Sequence, residues 1–149
     1  MEISSSEQDS TDFDWFCADE SGEVGHFTTA GFKRLPGSVS SSSENLVRLK
    51  HYFETNAPSR CGYVVDRKPD QTERYLRSFV AMASRGLYSY DIETYLEPGI
   101  CYFRVATPLV PLRVDDLPDP IRRIVEMTLL RNKQFSHSSK IAYEETLII

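Results

Sequence analysis

Three thiols (Cys17, Cys61, Cys101) and three imidazoles (His26, His51, His137) are the groups in this sequence best suited to nucleophilic or general-base chemistry. A nucleophile needs a base within hydrogen-bond reach, and no local signature joins any Cys to any His. There is no C-x-x-C pair, and no His-x-Glu or His-x-x-x-His spacing that would set two metal ligands on one face. Cys17 and Cys101 fall in apolar runs, where a thiol is usually a small core side chain. Cys61 stands in a loop beside Arg60 and reads as incidental, and the three histidines read as ordinary surface residues. The adjacent acids Asp115 and Asp116 precede Leu117-Pro118-Asp119-Pro120, where carboxylates suit the positive end of a helix dipole. Gly22, Gly25 and Gly31 follow neither a dinucleotide fingerprint nor a P-loop order. The expectation is a chain without catalytic residues, metal or cofactor.

Binding is the chemistry the composition favours. Eight Phe, eight Tyr and one Trp are many rings for a chain of 149 residues, and the expectation is that a small core leaves some of them outside. Tyr88 and Tyr90 alternate with Ser89 and precede Asp91, placing two phenols near a carboxylate, while Asp14 and Asp19 flank Trp15 in the aromatic run FDWFCA. Asp14, Trp15, Asp19, Tyr88, Tyr90 and Asp91 are therefore the candidate contact surface. The alternative is an enzyme of unfamiliar type, or a small-ligand-binding protein, with a pocket lined by His26, Tyr90 and Asp91 or built around Cys61.

The elements that would position these residues form an α+β pattern. Phe13–Ala18 and Glu23–Thr29 predict a hairpin about Asp19-Glu20-Ser21-Gly22, and residues 30–39 a loop returning Phe32 and Leu35 to the core. Ser41 and Glu44 have capping-box spacing ahead of a helix over about 42–54. A short strand at 62–65 follows. Asp70 then caps a second helix that Gly86 stops. Strands at 87–92 and 100–105 pair through Pro98-Gly99, and residues 107–114, carrying Pro108 and Pro111, are an edge strand or extended crossing. Asp119 and Pro120 open a third helix ending near Asn132, and residues 141–149 make a last strand. The sum is one domain over 13–149, a mainly antiparallel sheet of about five strands with three helices on it, preceded by a disordered acidic tail over 1–12.

Acids outnumber bases by 22 to 17, a net charge of −5, which argues against a nucleic-acid binder and for a basic protein as partner. The imbalance sits early: residues 1–45 carry nine acids against Lys33 and Arg34. Residues 1–12 have neither the basic start nor the apolar run of a signal peptide, and no stretch approaches the roughly 18 apolar residues of a membrane helix. With unclustered cysteines, a reducing cytoplasm is the expected location, and no membrane association is expected.

The segments FDWFCADESGEVGHFTTAGFKRLP (13–36), GLYSYD (86–91) and YFRVATPLVPLRVDDLP (102–118) resemble a set of small uncharacterised bacterial proteins. The opening segment, with its aromatic, Trp and Phe followed by Asp and Gly, is similar to one in immunity-type proteins of bacterial toxin systems. The resemblance implies a non-catalytic protein that binds and blocks one partner, and it assigns no catalytic role to any residue.

Overall fold

The computed structural model describes residues 1–31, 33–66, 71–93 and 99–149. Strands β1 (Asp14–Asp19) and β2 (Val24–Thr28) form the antiparallel hairpin that the sequence predicts, with Trp15 opposite Phe27 and Phe16 opposite His26. Asp19 organises the turn: its Oδ1 accepts the N–H groups of Ser21 and Glu23, each at 2.9 Å, and Gly22 takes the φ of 79° that the reversal requires. Helix α1 (Ser5–Gln8) precedes the hairpin, and α2 (Gly37–Ser40) and α3 (Ser43–His51) follow it. The cap of α3 is Ser42, one residue later than expected, and the helix widens into a π-type turn over Tyr52–Asn56.

Strand β3 (Tyr63–Val65), helix α4 (Glu73–Ser84) and strands β4 (Tyr88–Glu93) and β5 (Cys101–Pro108) come next. Thr72 caps α4. The expected cap Asp70 lies outside the described residues, as do Phe32, Tyr95 and Pro98 of the expected Pro98-Gly99 turn. Helix α5 (Asp119–Val125), strands β6 (Leu129–Leu130) and β7 (Lys140–Ala142) and helix α6 (Tyr143–Thr146) complete the order.

The fold is α+β, but its sheet is mixed and has seven strands, in the order β3-β5-β4-β2-β1-β6 with β7 beside the first half of β5. The pairs β2–β4 and β1–β6 are parallel and the others antiparallel. This corrects the expectation of a mainly antiparallel sheet of about five strands, and among the described residues six α-helices replace the expected three. The additions are the two-residue strand β6 and the one-turn helices α1, α2 and α6, too short to carry a hydrophobic period.

The third expected helix stops at Val125 because the chain then pairs with β1: Ala18 donates its N–H to the Thr128 carbonyl at 3.1 Å. The expected last strand is confined to β7, and the chain turns into α6. Nor is the segment 1–12 an unpacked tail. Ile3 is buried and donates its N–H to the Ser40 carbonyl at 2.8 Å. The Gln8 amide donates to the Ile3 carbonyl and accepts from Leu35 N–H, both at 2.9 Å, and Arg34 pairs with Asp9. The buried Ile3 and the bridging Gln8 amide, helped by the Arg34–Asp9 pair, hold the segment, a signal that composition hides.

Alternation along the strands divides the interior into two layers. One face carries Trp15, Phe27, Tyr90 and Tyr102, closed over by Leu35, Phe135 and Ile141. The other carries Phe16, Ala18 and Val24 and is covered by Leu49 of α3, Phe53, Met82 of α4, and Ile121 and Val125 of α5. Among the described residues no helix is long and apolar enough to cross a membrane.

Candidate functional site

Four of the six residues expected to present a contact surface are interior. Trp15 and Tyr90 are completely enclosed, Tyr88 is 2% exposed and Asp19 3%. Trp15 stacks on Phe27 (ring centroids 4.3 Å apart) and Phe27 on Tyr90 (4.7 Å), with Tyr102 edge-on to the first two. The polar atoms of these rings are satisfied inside: Trp15 Nε1 donates to Tyr102 Oη at 3.3 Å, Tyr90 Oη to the Ser138 carbonyl at 2.6 Å, and Tyr88 Oη to Glu23 Oε1 at 3.1 Å. Asp19 accepts a third backbone N–H, from Phe135 at 2.8 Å, so it is a structural hub. The expected aromatic surface is therefore a core layer: a seven-stranded sheet covered on both faces has room for the rings.

The alternative pocket of His26, Tyr90 and Asp91 does not assemble either. Tyr90 faces the aromatic layer, whereas His26 and Asp91 lie on the helix-covered face. What assembles there is a polar seam that includes Asp14 and Asp91. Asp91 Oδ1 accepts from Thr28 Oγ1 at 2.6 Å and Ile92 N–H at 2.8 Å, and its Oδ2 accepts from Tyr75 Oη of α4 at 2.6 Å. Beside it, His26 Nδ1 lies 2.6 Å from Ser89 Oγ, and His26 Nε2 lies 3.7 Å from Asp14 Oδ2.

The His26 imidazole is entirely enclosed between Phe16 and Phe79, which overturns its expected surface position. Its Nε2 has no hydrogen-bond partner among the described residues. Burial would push the Asp14 carboxyl up, but the imidazole beside it and the Lys50 ammonium hold it below its ordinary value. Asp12, which accepts Ala30 N–H at 3.1 Å, is pushed up by burial and by the neighbouring charges of Asp14 and Asp91.

An acid, an imidazole and a hydroxyl in sequence have the composition of an acyl-transfer relay. Here Ser89 is as enclosed as His26, so the hydroxyl meets no solvent from which a substrate could approach. Of the thiols, Cys17 is buried, which pushes it well up, while Cys61 and Cys101 are half-buried and Cys61 Sγ lies 3.5 Å from the carbonyls of Ala83 and Val110. No group of three or more His, Cys, Asp or Glu residues suited to a metal ion occurs among the described residues.

Two of the features that face solvent combine apolar with polar groups. The first is a groove of about 280 Å³ between the N-terminal segment and α3, lined by Glu7, Asp12 and Asp14, the apolar Ile3, Phe13, Leu46 and Val47, and Lys50. The second is the open side of β3. Among the described residues strand β3 ends the sheet and pairs only with β5, Tyr63 opposite Pro108 and Val65 opposite Ala106. Its bonds to β5 use the Gly62 carbonyl and Asp66 N–H, so by antiparallel alternation Tyr63 and Val65 turn their backbone groups outward. Tyr63 is 44% exposed and Val64 50%, and Leu109 and Val110, just beyond β5, are 62% and 50% exposed.

Sequence reasoning named Asp14, His26 and Asp91 but missed Ser89, Tyr75, Asp12 and Lys50 as their neighbours. Alternation within β4 sets Ser89 and Asp91 on one face; only the parallel pairing of β2 with β4, across some sixty residues of chain, brings them to His26 and Thr28. Compared with protein-family models, with curated proteins and with solved structures, the chain matches none.

Proposed function

We propose that this chain is a non-catalytic binding module that acts by stoichiometric protein–protein contact, in the manner its resemblance to immunity-type proteins implies. The observation that carries the reading is the β3 edge: Tyr63, Val64, Leu109 and Val110 are gathered in the open where, among the described residues, the sheet offers unpaired backbone donors and acceptors. Soluble proteins usually blunt such an edge, because it is a template for another strand. A partner that adds an extended segment to it gains main-chain hydrogen bonds from the edge and apolar contact from the side chains. The net charge of −5 favours a basic partner through faster encounter. Three unpaired cysteines agree with a reducing, cytoplasmic setting.

The test is affinity capture from the native host with the wild-type chain and a V64K/L109K variant of unchanged circular dichroism. The reading expects a protein partner held at one-to-one stoichiometry by the wild type and released by the variant. Capture of no protein, or equal capture by both chains, contradicts it.

A further inference from the structure

The groove beside α3 has the make-up of a receptor for a positively charged side chain. Glu7, Asp12 and Asp14 set three carboxylates along it against the single base Lys50, and Ile3, Phe13, Leu46 and Val47 supply apolar wall. An alkyl ammonium or guanidinium needs both parts, carboxylates for its head and apolar surface for its methylene stem.

A second observation points the same way. His26 Nε2, wholly enclosed and without a hydrogen-bond partner among the described residues, lies 3.7 Å from the carboxylate of Asp14, which lines the groove. Asp14 thus lies between a buried imidazole and the groove, where a cation would meet its carboxylate. Asp12 gains as well, since its charge is crowded by Asp14 and Asp91.

We propose that this groove receives one lysine or arginine side chain of a basic protein partner. At about 280 Å³ it falls just short of the roughly 300–1,000 Å³ of pockets that enclose drug-sized ligands, so it suits a single side chain. The source of the cation rests on the contact reading above. The site itself does not, because β1 stands four places from β3 in the strand order.

The experiment is a titration of the full chain, followed by NMR, with acetyl-Gly-Arg-Gly-amide, acetyl-Gly-Lys-Gly-amide and, as neutral control, acetyl-Gly-Gln-Gly-amide. The two cationic peptides should move the amide signals of Asp12, Asp14 and Lys50 and the imidazole nitrogen signals of His26 saturably; the control should not. Asp14→Asn should weaken the response about tenfold, the loss of one charge-assisted contact. Lys50→Met, at an exposed position, should strengthen it. The V64K/L109K variant should respond like the wild type, so the groove and the edge can fail separately. A neutral peptide as effective as the cationic ones, no saturable shift with either cation, or indifference to both Asp14→Asn and Lys50→Met would overturn the proposal.

Discussion

His26 Nδ1 and Ser89 Oγ meet at 2.6 Å across the parallel strands β2 and β4, and neither side chain reaches solvent. The contact satisfies one buried nitrogen of a ring that already lacks a partner at the other. Ser89→Ala should therefore destabilise the fold by about 1–3 kcal/mol, the usual cost of orphaning a buried polar group. Urea denaturation measures this. A serine-directed fluorophosphonate should leave the mass of the folded wild-type chain unchanged, and stoichiometric labelling of Ser89 would show that the hydroxyl is reachable.

Asp19 joins elements far apart in sequence, accepting from Ser21 and Glu23 within its own turn and from Phe135 across the fold. Asp19→Ala leaves three backbone donors without this acceptor and should cost roughly 2–3 kcal/mol or more. The urea midpoint should fall with little change in slope, as expected when stability changes and the surface exposed on unfolding does not.

A Cβ on Gly25 would lie 2.7 Å from Phe135 Cζ and 3.0 Å from a ring carbon of Phe27. Gly25→Ala therefore overpacks the aromatic layer, at about 1–3 kcal/mol. Adding Phe135→Leu, which withdraws the closest ring, should recover part of that loss, and non-additivity in the double mutant is the readout.

Burial pushes the phenols of Tyr88, Tyr90 and Tyr102 above their ordinary value of 10, and at Tyr88 the Glu23 carboxylate adds to the shift. A group whose folded pKa is raised contributes stability that is fully present below its unfolded pKa and is lost as pH rises through the folded value. Stability should therefore decline above pH 10. In an alkaline titration followed by phenolate absorbance, three of the eight tyrosines should ionise together with cooperative unfolding. Ionisation of all eight before the far-ultraviolet dichroism changes would contradict the burial.

How far the sequence reveals this arrangement depends on the range of the interaction. The β1–β2 hairpin, a short strand at β3 and helix α4 follow from local sequence, and all three form, whereas the edge position of β3 does not follow from it. The parallel partners do not, because nothing near Val24–Thr28 specifies pairing with Tyr88–Glu93, and β6 has only two residues. The same gap hid the seam: His26 and Ser89 are each unremarkable alone and become a pair only through that register. The aromatics were legible as a set but misassigned to the surface, since a β-strand pattern gives the face a side chain points to and not what covers it. Ile3 and Gln8 lie in a segment whose polar composition concealed the two residues that tie it down.

Hydrogen–deuterium exchange of the free chain and of the chain bound to its captured partner tests the contact reading most directly. The reading predicts slowed exchange at the amides of Tyr63 and Val65 and across Leu109 and Val110, no change at His26 and Ser89, and a partner whose covalent mass is unaltered. Protection elsewhere with β3 unaffected, or a partner released with a changed mass, would contradict it.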